Sequence, residues 1–407
     1  MSKMPTTKIL TMSQKVSFED TSIAFSSKSN LQLKKVYLIF ASMNQNWLVK
    51  LGTFFIKLFL FLHFPIKKLI KITVFEQFCG GENLQECNKT IENLDKSHIG
   101  TILDYSVEGE DNEKSFDKTA GEILLTIEKA NQNLAIPFAV FKVTGIGSAE
   151  LLERVQNQEE LYEEEKDAFQ HIGKRMDMLC GRAAILNVKI FVDGEESWIQ
   201  DTIDSLTYEM MEKYNHEKCV VHNTFQMYRK DMFHNLGVAT KQARQNHYYL
   251  GVKLVRGAYM ERERQKAHED NYCEPVHETK EGTDRDFNAA MEFTVENRDI
   301  ISVCVGTHNE YSCKYLVELM NQNHIQPTDK HFYFAQLLGM SDNISFNLSK
   351  AGYNVAKYVP YGPVDAVMPY LFRRAEENTS VAGQASREFG LIKREIVRRK
   401  RLVFQNK

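Results

Sequence analysis

The residue types best suited to chemistry sit near the end of the chain, in Tyr370-Leu371-Phe372-Arg373-Arg374-Ala375-Glu376-Glu377-Asn378. At helical spacing Tyr370 stands one turn before Arg373 and Arg374, and Glu377 one turn after them, so the four side chains share one stripe. Two guanidinia steered by a carboxylate suit a small anion, because the guanidinium fork meets a carboxylate in two parallel hydrogen bonds. A solvated surface helix carries the same pattern, with i,i+4 ion pairs that contribute only about 0.2–0.5 kcal/mol each. The nonamer alone favours that plainer reading, so its place in the fold decides.

Eight short runs rich in β-branched and aromatic residues recur at 99–107, 138–143, 188–192, 219–225, 248–255, 300–305, 331–337 and 354–359. Amphipathic stretches separate them, among them 120–132, 198–214, 230–246, 286–297 and 311–321, and the last, 364–378, contains the arginines. Alternating βα units imply parallel strands joined by right-handed crossovers. Eight such units predict an α/β fold, a distorted (β/α)₈ TIM-like barrel, ahead of a doubly wound sheet. The expected organisation is a mainly helical appendage over 1–98, the barrel over 99–390 and a basic tail over 391–407. The acidic segment 157–166 reads as a solvated loop or helix edge.

A (β/α)₈ barrel does its chemistry at the C-terminal ends of its strands. Those ends carry Lys142, Asp193, Gln226, Arg256 with Tyr259, Thr307-His308-Asn309, Leu337 and Tyr358. Lys142, Arg256, Arg373 and Arg374 would converge there and favour an anionic ligand. Gly257 and Ala258 would let the backbone approach a flat ligand closely. No paired His, Asp or Glu spacing suggests a metal site, and no Ser/His/Asp or Cys/His set suggests acyl transfer. Gly145-Ile146-Gly147-Ser148-Ala149-Glu150 imitates a dinucleotide fingerprint but lacks its third glycine, and reads as a turn and an N-cap.

The formal net charge of −3 over 407 residues excludes the basic excess of a dedicated nucleic-acid binder. Seven scattered cysteines with no CxxC pair point to a reducing compartment and no structural zinc. The first 17 residues hold no acid, loosely like an organelle transit peptide, although arginine is absent. The apolar segment 51–72 is interrupted by Lys57, His63, Pro65, Lys67, Lys68 and Lys71, which suits a basic amphipathic helix lying on a membrane or docked on the barrel better than a spanning helix. The basic amphipathic end of the chain, 390–407, reads as a solvated terminal helix ahead of one that touches anionic lipid.

The motifs KLVRGAY (253–259), THNE (307–310), QLLGM (336–340), KYVPYGPV (357–364) and YLFRRAEEN (370–378) resemble the proline dehydrogenase (proline oxidase) family, most closely its eukaryotic monofunctional members, in order and spacing. The resemblance runs from about residue 18 to 399. It implies a barrel holding FAD noncovalently, an oxidoreductase that converts L-proline to Δ1-pyrroline-5-carboxylate by hydride transfer from C5 to flavin N5, and electrons passed to quinone. This is the first step of proline catabolism to glutamate. It also implies a mitochondrion, at the matrix face of the inner membrane, with peripheral contact to that membrane surface.

Carried over by motif, Arg373 and Arg374 would clamp the proline carboxylate with help from Lys142. Leu337, Tyr358, Tyr370 and Tyr259 would line the ring pocket, and Asp193 would hold Lys142 and the tyrosines in place. Gln226, Lys253, Val255, Arg256, Gly257, Ala258, Thr307, His308, Asn309 and Glu377 would form the flavin shell, with Arg256 near the flavin N1–C2 edge. Lys253, Met260, Phe372 and Gly194 depart from residues common in the family. The alternative substrate is trans-4-hydroxy-L-proline, whose preferring relatives carry a small residue where Tyr358 stands. A catalytically dead barrel and an aldolase-like barrel using Lys142 as a Schiff-base amine are readings from other classes.

Overall fold

In the computed structural model the alternation resolves into eight parallel strands that close on themselves. They are β1 (Ile99–Tyr105), β2 (Phe138–Phe141), β3 (Lys189–Val192), β4 (Val221–Gln226), β5 (Leu250–Val255), β6 (Ile301–Gly306), β7 (Phe332–Leu337) and β8 (Val355–Tyr361). The structure describes residues 16–62, 66–107, 111–380 and 384–405. Strand β8 closes on β1 in register from Ile99 opposite Val355 to Tyr105 opposite Tyr361. The strands are buried almost throughout, as parallel strands must be when helices cover one face and packed side chains fill the other.

Helices α1 (Asn30–Met43), α2 (Asn46–Phe61) and α3 (Asn88–Asp95) precede the barrel. Around it run α4 (Glu113–Gln132), α5 (Ala149–Gln156), α6 (Glu163–Leu186), α7 (Ser197–Tyr214), α8 (Met232–Gln245), α9 (Met260–Glu269), α10 (Lys280–Glu296), α11 (Glu310–Gln322), α12 (Asp342–Lys350) and α13 (Met368–Ser380), and α14 (Gln384–Gln405) follows. Two helices start earlier than apolar periodicity predicts. Helix α4 begins at Glu113 rather than 120, because Asn112 accepts the Ser115 N–H and caps it. Helix α10 begins at Lys280 rather than 286, where Thr279 accepts from the Gly282 N–H. The acidic segment supplies the first turn of α6, where Glu163, Glu164 and Glu165 complement the helix dipole and Glu165 accepts the Tyr162 N–H at 2.8 Å. Segment 51–72 is not one helix: α2 ends at Phe61 and a new helical turn starts at Lys67, with Pro65 in between.

The barrel interior is solid. Phe138 stacks on Phe191 with ring centroids 4.3 Å apart, and His222 and Tyr333 meet Phe138 edge-on. Burying each large apolar side chain contributes about 1.5–3 kcal/mol. A main core lies between barrel and helix ring, containing for example Ile127, Met176, Leu250 and Phe287. A second core joins Leu33 and Phe40 of α1 to Met340, Tyr370 and Leu371 and to Leu391 of α14. Helix α1 therefore shares its apolar centre with the arginine helix α13, while Ile91 and Leu94 of α3 join the main core. The basic terminal helix is also docked and not solvated. Glu395 is fully buried and accepts from Thr21, Arg398 and Arg399, while Arg399 also donates to the Phe25 and Lys28 carbonyls.

Candidate active site

The polar strand ends meet around Asp193, just beyond β3. Its buried carboxylate accepts from the Lys253 ammonium on β5 and from the Tyr358 hydroxyl on β8. Lys142, following β2, brings its Nζ to 3.4 Å from Asp193 Oδ2 and 4.0 Å from Asp104 Oδ2 on β1. Lys253 Nζ also lies 4.6 Å from the centre of the Tyr358 ring and 5.3 Å from that of Phe191. Burial pushes the Asp193 carboxyl upward, but the Lys253 and Lys142 ammonium groups outweigh it and hold it below the usual carboxylate range. Burial likewise works against the Lys142 ammonium, and Asp104 and Asp193 more than reverse the effect and raise it. The Tyr358 phenol is driven well above its ordinary range, first by burial and then by Asp193, so it stays protonated. Tyr259, after β5, is raised mainly by burial, with Lys142 opposing.

Two ammonium groups thus face two carboxylates, and the cluster is balanced without a ligand. An added anion calls for further cations, and α13 carries them. Arg374 is buried and Arg373 half-buried, and the Arg374 guanidinium lies 5.1 Å from the centre of the Tyr370 ring. Leu337, opposite Tyr358 in the β7–β8 register, packs against both the barrel-interior cluster containing Tyr358 and the core containing Tyr370. It therefore connects α13 to the Asp193 cluster. Glu377 lies on α13, but its side chain is outside the described residues.

A second wall follows β4, β5 and β6. Gln226 Nε2 donates to the Glu195 carbonyl at 2.6 Å. Arg256 does not turn toward the other cations: it donates to Asp284 at 2.7 Å, Thr307 Oγ1 at 2.6 Å and Ser312 Oγ at 2.9 Å, over the Phe287 ring. Gly257 adopts φ +120°, where a side chain would be strained and a Cβ would strike the Tyr228 ring. With half-exposed Val255 and exposed Ala258 it leaves a low backbone shelf at the end of β5. Asn309 caps α11 by accepting from the Tyr311 and Ser312 N–H groups. His308 Nδ1 is 2.9 Å from Ser341 Oγ, and burial pushes its imidazole down to about 3, so the ring is neutral.

Sequence reasoning passed over three groups. Asp104 was hidden because the first run, drawn as 99–107, buries the strand end inside the strand; β1 stops at Tyr105. Glu195 accepts from the Thr144 N–H and hydroxyl, and burial pushes it up to about 7. Lys357, fully buried, sits 3.1 Å from Asp342 and donates to the Leu337 and Met340 carbonyls; on sequence it is only a lysine within a strand. The glycine-rich decoy has a packing cause. A Cβ on Gly147 would fall 2.4 Å from Ile172 of α6. Ser148 occupies the N-cap of α5, but its hydroxyl donates to Asp111 at 3.1 Å and leaves the helix amides uncapped.

A family model described as proline dehydrogenase matches residues 87–387. The chain is 35% identical over 322 residues to the carbapenem antibiotics biosynthesis protein CarD of Pectobacterium carotovorum subsp. carotovorum, covering 79% of this chain and 83% of that protein. It is 32% identical to the mitochondrial proline dehydrogenase 1 of Dictyostelium discoideum, covering 93% of this chain and 74% of the relative. The human mitochondrial proline dehydrogenase 1 is 40% identical over 242 residues, 59% of this chain and 40% of that protein. Among solved structures, proline utilization A from Bdellovibrio bacteriovorus, inactivated by N-propargylglycine, superposes with a TM-score of 0.70 at 18% identity. That match covers 89% of this chain and 38% of the longer protein, and at this identity it speaks for the fold.

Proposed function

The chain belongs to the proline dehydrogenase family, and on that premise we propose that it oxidises L-proline to Δ1-pyrroline-5-carboxylate with noncovalent FAD. The observation that carries the reading is the Asp193-centred cluster of Lys142, Lys253 and Tyr358, linked through Leu337 to the arginine helix. Arg373 and Arg374 clamp the substrate carboxylate in a bidentate manner, with Lys142 supplying further positive potential. Leu337, Tyr358, Tyr370 and Tyr259 hold the pyrrolidine ring in one orientation, so that geometry supplies most of the catalysis. Asp193 accepts no proton: its pKa is depressed and its oxygens are engaged by Lys253, Tyr358 and Lys142. With no strong base at the ring, the amine reacts in its neutral form and releases its N–H proton to solvent as the imine forms.

The strand-end shelf of Val255, Gly257 and Ala258 suits a flat cofactor, because Gly257 adopts a backbone that disfavours any Cβ. Gln226, Lys253, Arg256, Thr307, His308, Asn309 and Glu377 would hold FAD beside it. When bound, FAD supplies the two-electron acceptor that takes hydride from proline C5. A residue as bulky as Tyr358 in the ring pocket would crowd a ring hydroxyl, which favours proline over trans-4-hydroxy-L-proline.

Electrons then pass to a membrane quinone, in a mitochondrion, at the matrix face of the inner membrane. The surface suited to approach that membrane is α2, where Trp47 is 62% and Phe54 60% exposed. From Asn46 to Phe75 the chain has five lysines and no acid. This is the composition of an interfacial segment on anionic lipid. Among the described residues no helix is long and apolar enough to cross a membrane. The test is product analysis: full-length protein with FAD, L-proline and a soluble quinone should form an imine that o-aminobenzaldehyde traps. Turnover on trans-4-hydroxy-L-proline that equals or exceeds turnover on proline would overturn the substrate assignment.

A further inference from the structure

We propose that Glu388 is a positioning residue for the barrel-mouth site: it clasps the turn between β7 and α12 and, through Ser341, fixes the His308 ring and the main chain that carries Leu337. The clasp stands on geometry alone, and its consequence for flavin rests on the proposed function. Glu388 lies in the first turns of α14, the helix after the arginine helix, and is buried. Its carboxylate accepts the Ser341 N–H. Ser341 is held at φ 51°, ψ 43°, a left-handed conformation that non-glycine residues adopt only where their surroundings enforce it.

From Ser341 the connections reach the site in two directions. Its hydroxyl lies 2.9 Å from His308 Nδ1. The Ser345 hydroxyl donates to Gln336 Oε1 at 2.8 Å, and its Oγ lies 3.3 Å from the Ser341 carbonyl oxygen. Gln336 in turn donates to the Thr307 carbonyl at 3.1 Å. On the barrel side Lys357 holds the Leu337 and Met340 carbonyls. The turn is thus pinned from inside by β8 and from outside by α14, and only the outer pin can be removed without disturbing the barrel.

A carboxylate this deeply buried is costly unless it makes specific contacts. The groups that face it are Asp342 of α12, the Ser341 amide, Lys357 of β8, and Lys28 just before α1. Burial, then Asp342, pushes Glu388 up to about 7, against the Ser341 N–H, Lys357 and Lys28. Released to water the carboxyl returns to its ordinary, lower range, so opening gains as pH rises toward about 7 and the hold loosens over that window.

The experiment uses the full chain with E388Q, E388A and S341G. Glycine tolerates the left-handed turn, so S341G removes the CH2OH side chain without straining the backbone. Hydrogen exchange of the flavin-free protein is followed over residues 337–345. E388A should lose at least about tenfold in protection there. Wild-type protection, corrected for intrinsic exchange, should fall from pH 5 to pH 7, and E388Q should show no such fall. FAD affinity, read by flavin fluorescence, should fall in E388A and S341G. Wild-type protection in E388A, or a pH response retained in E388Q, overturns the clasp. Should E388A fail to fold, E388Q still decides it. Normal FAD affinity in folded S341G overturns the relay to His308. Wild type that takes up no FAD would refute the flavin reading, while the exchange arm still judges the clasp.

Discussion

Replacing Asp193 with alanine should be the most damaging single change to the barrel mouth. The carboxylate is acceptor to Lys253, Tyr358 and Lys142. Lys142 keeps a third of its side chain exposed and can turn to water, whereas the Lys253 side chain is only 9% exposed and its charge would be stranded. Removing one partner of a buried pair costs about 3–5 kcal/mol, mostly the penalty of the charge left behind. Asp193→Asn keeps an acceptor for Tyr358 and should cost less, about 1–3 kcal/mol. Adding Lys253→Met to Asp193→Ala should recover part of the loss, since the double variant strands no charge. The sign with pH follows from the lowered Asp193 pKa: its stabilisation is present above the unfolded value and is lost as pH falls through the folded one. The stability gap between wild type and Asp193→Ala, measured by urea unfolding, should therefore close under strong acid. Displacement of Lys142 and Tyr358 should also lower kcat/KM for proline by about a hundredfold. An Asp193→Ala protein as stable as wild type, with unchanged proline kinetics, would refute this account of the cluster.

Arg373→Met and Arg374→Met should each weaken proline binding by about 2–5 kcal/mol, read as a raised KM, because each removes a partner from a desolvated charge pair; normal saturation in both would mean that the carboxylate lies elsewhere. Glu195 is raised to about 7 and Asp204 to about 6, both chiefly by burial, so the folded protein binds more protons than the unfolded chain and stability falls as pH rises from about 4 to 7. Glu195→Gln should flatten that decline in unfolding experiments, and an unchanged slope would count against it. Trp47→Glu and Phe54→Glu should abolish sedimentation with anionic vesicles and leave turnover with a soluble acceptor unchanged.

The barrel was legible because its strands are buried on both faces and stand out as apolar, β-branched runs such as Leu250–Val255. Polar strand ends were legible for the same reason, since a charge such as Lys142 or Asp193 interrupts such a run. Asp104 escaped because it lies within the first run rather than after it. Lys357 and Glu388 escaped because their partners, the Asp342 carboxylate and backbone groups of the turn before it, are brought near by tertiary packing, and no local spacing encodes that. Arg256 was recognisable as a strand-end cation, but its direction depends on Asp284 and Ser312 from two other helices. The early starts of α4 and α10 were hidden because their first turns are polar and the caps, not periodicity, define them.

The central claim is that this barrel takes two electrons from L-proline into a bound flavin. The most direct measurement is an anaerobic titration of the full-length, FAD-reconstituted protein with L-proline, followed in the visible spectrum. The account predicts that the flavin band bleaches in wild type and bleaches only at far higher proline in Arg373→Met and Arg374→Met. A protein that cannot be reconstituted with FAD, or a flavin that stays oxidised at saturating proline, would contradict it.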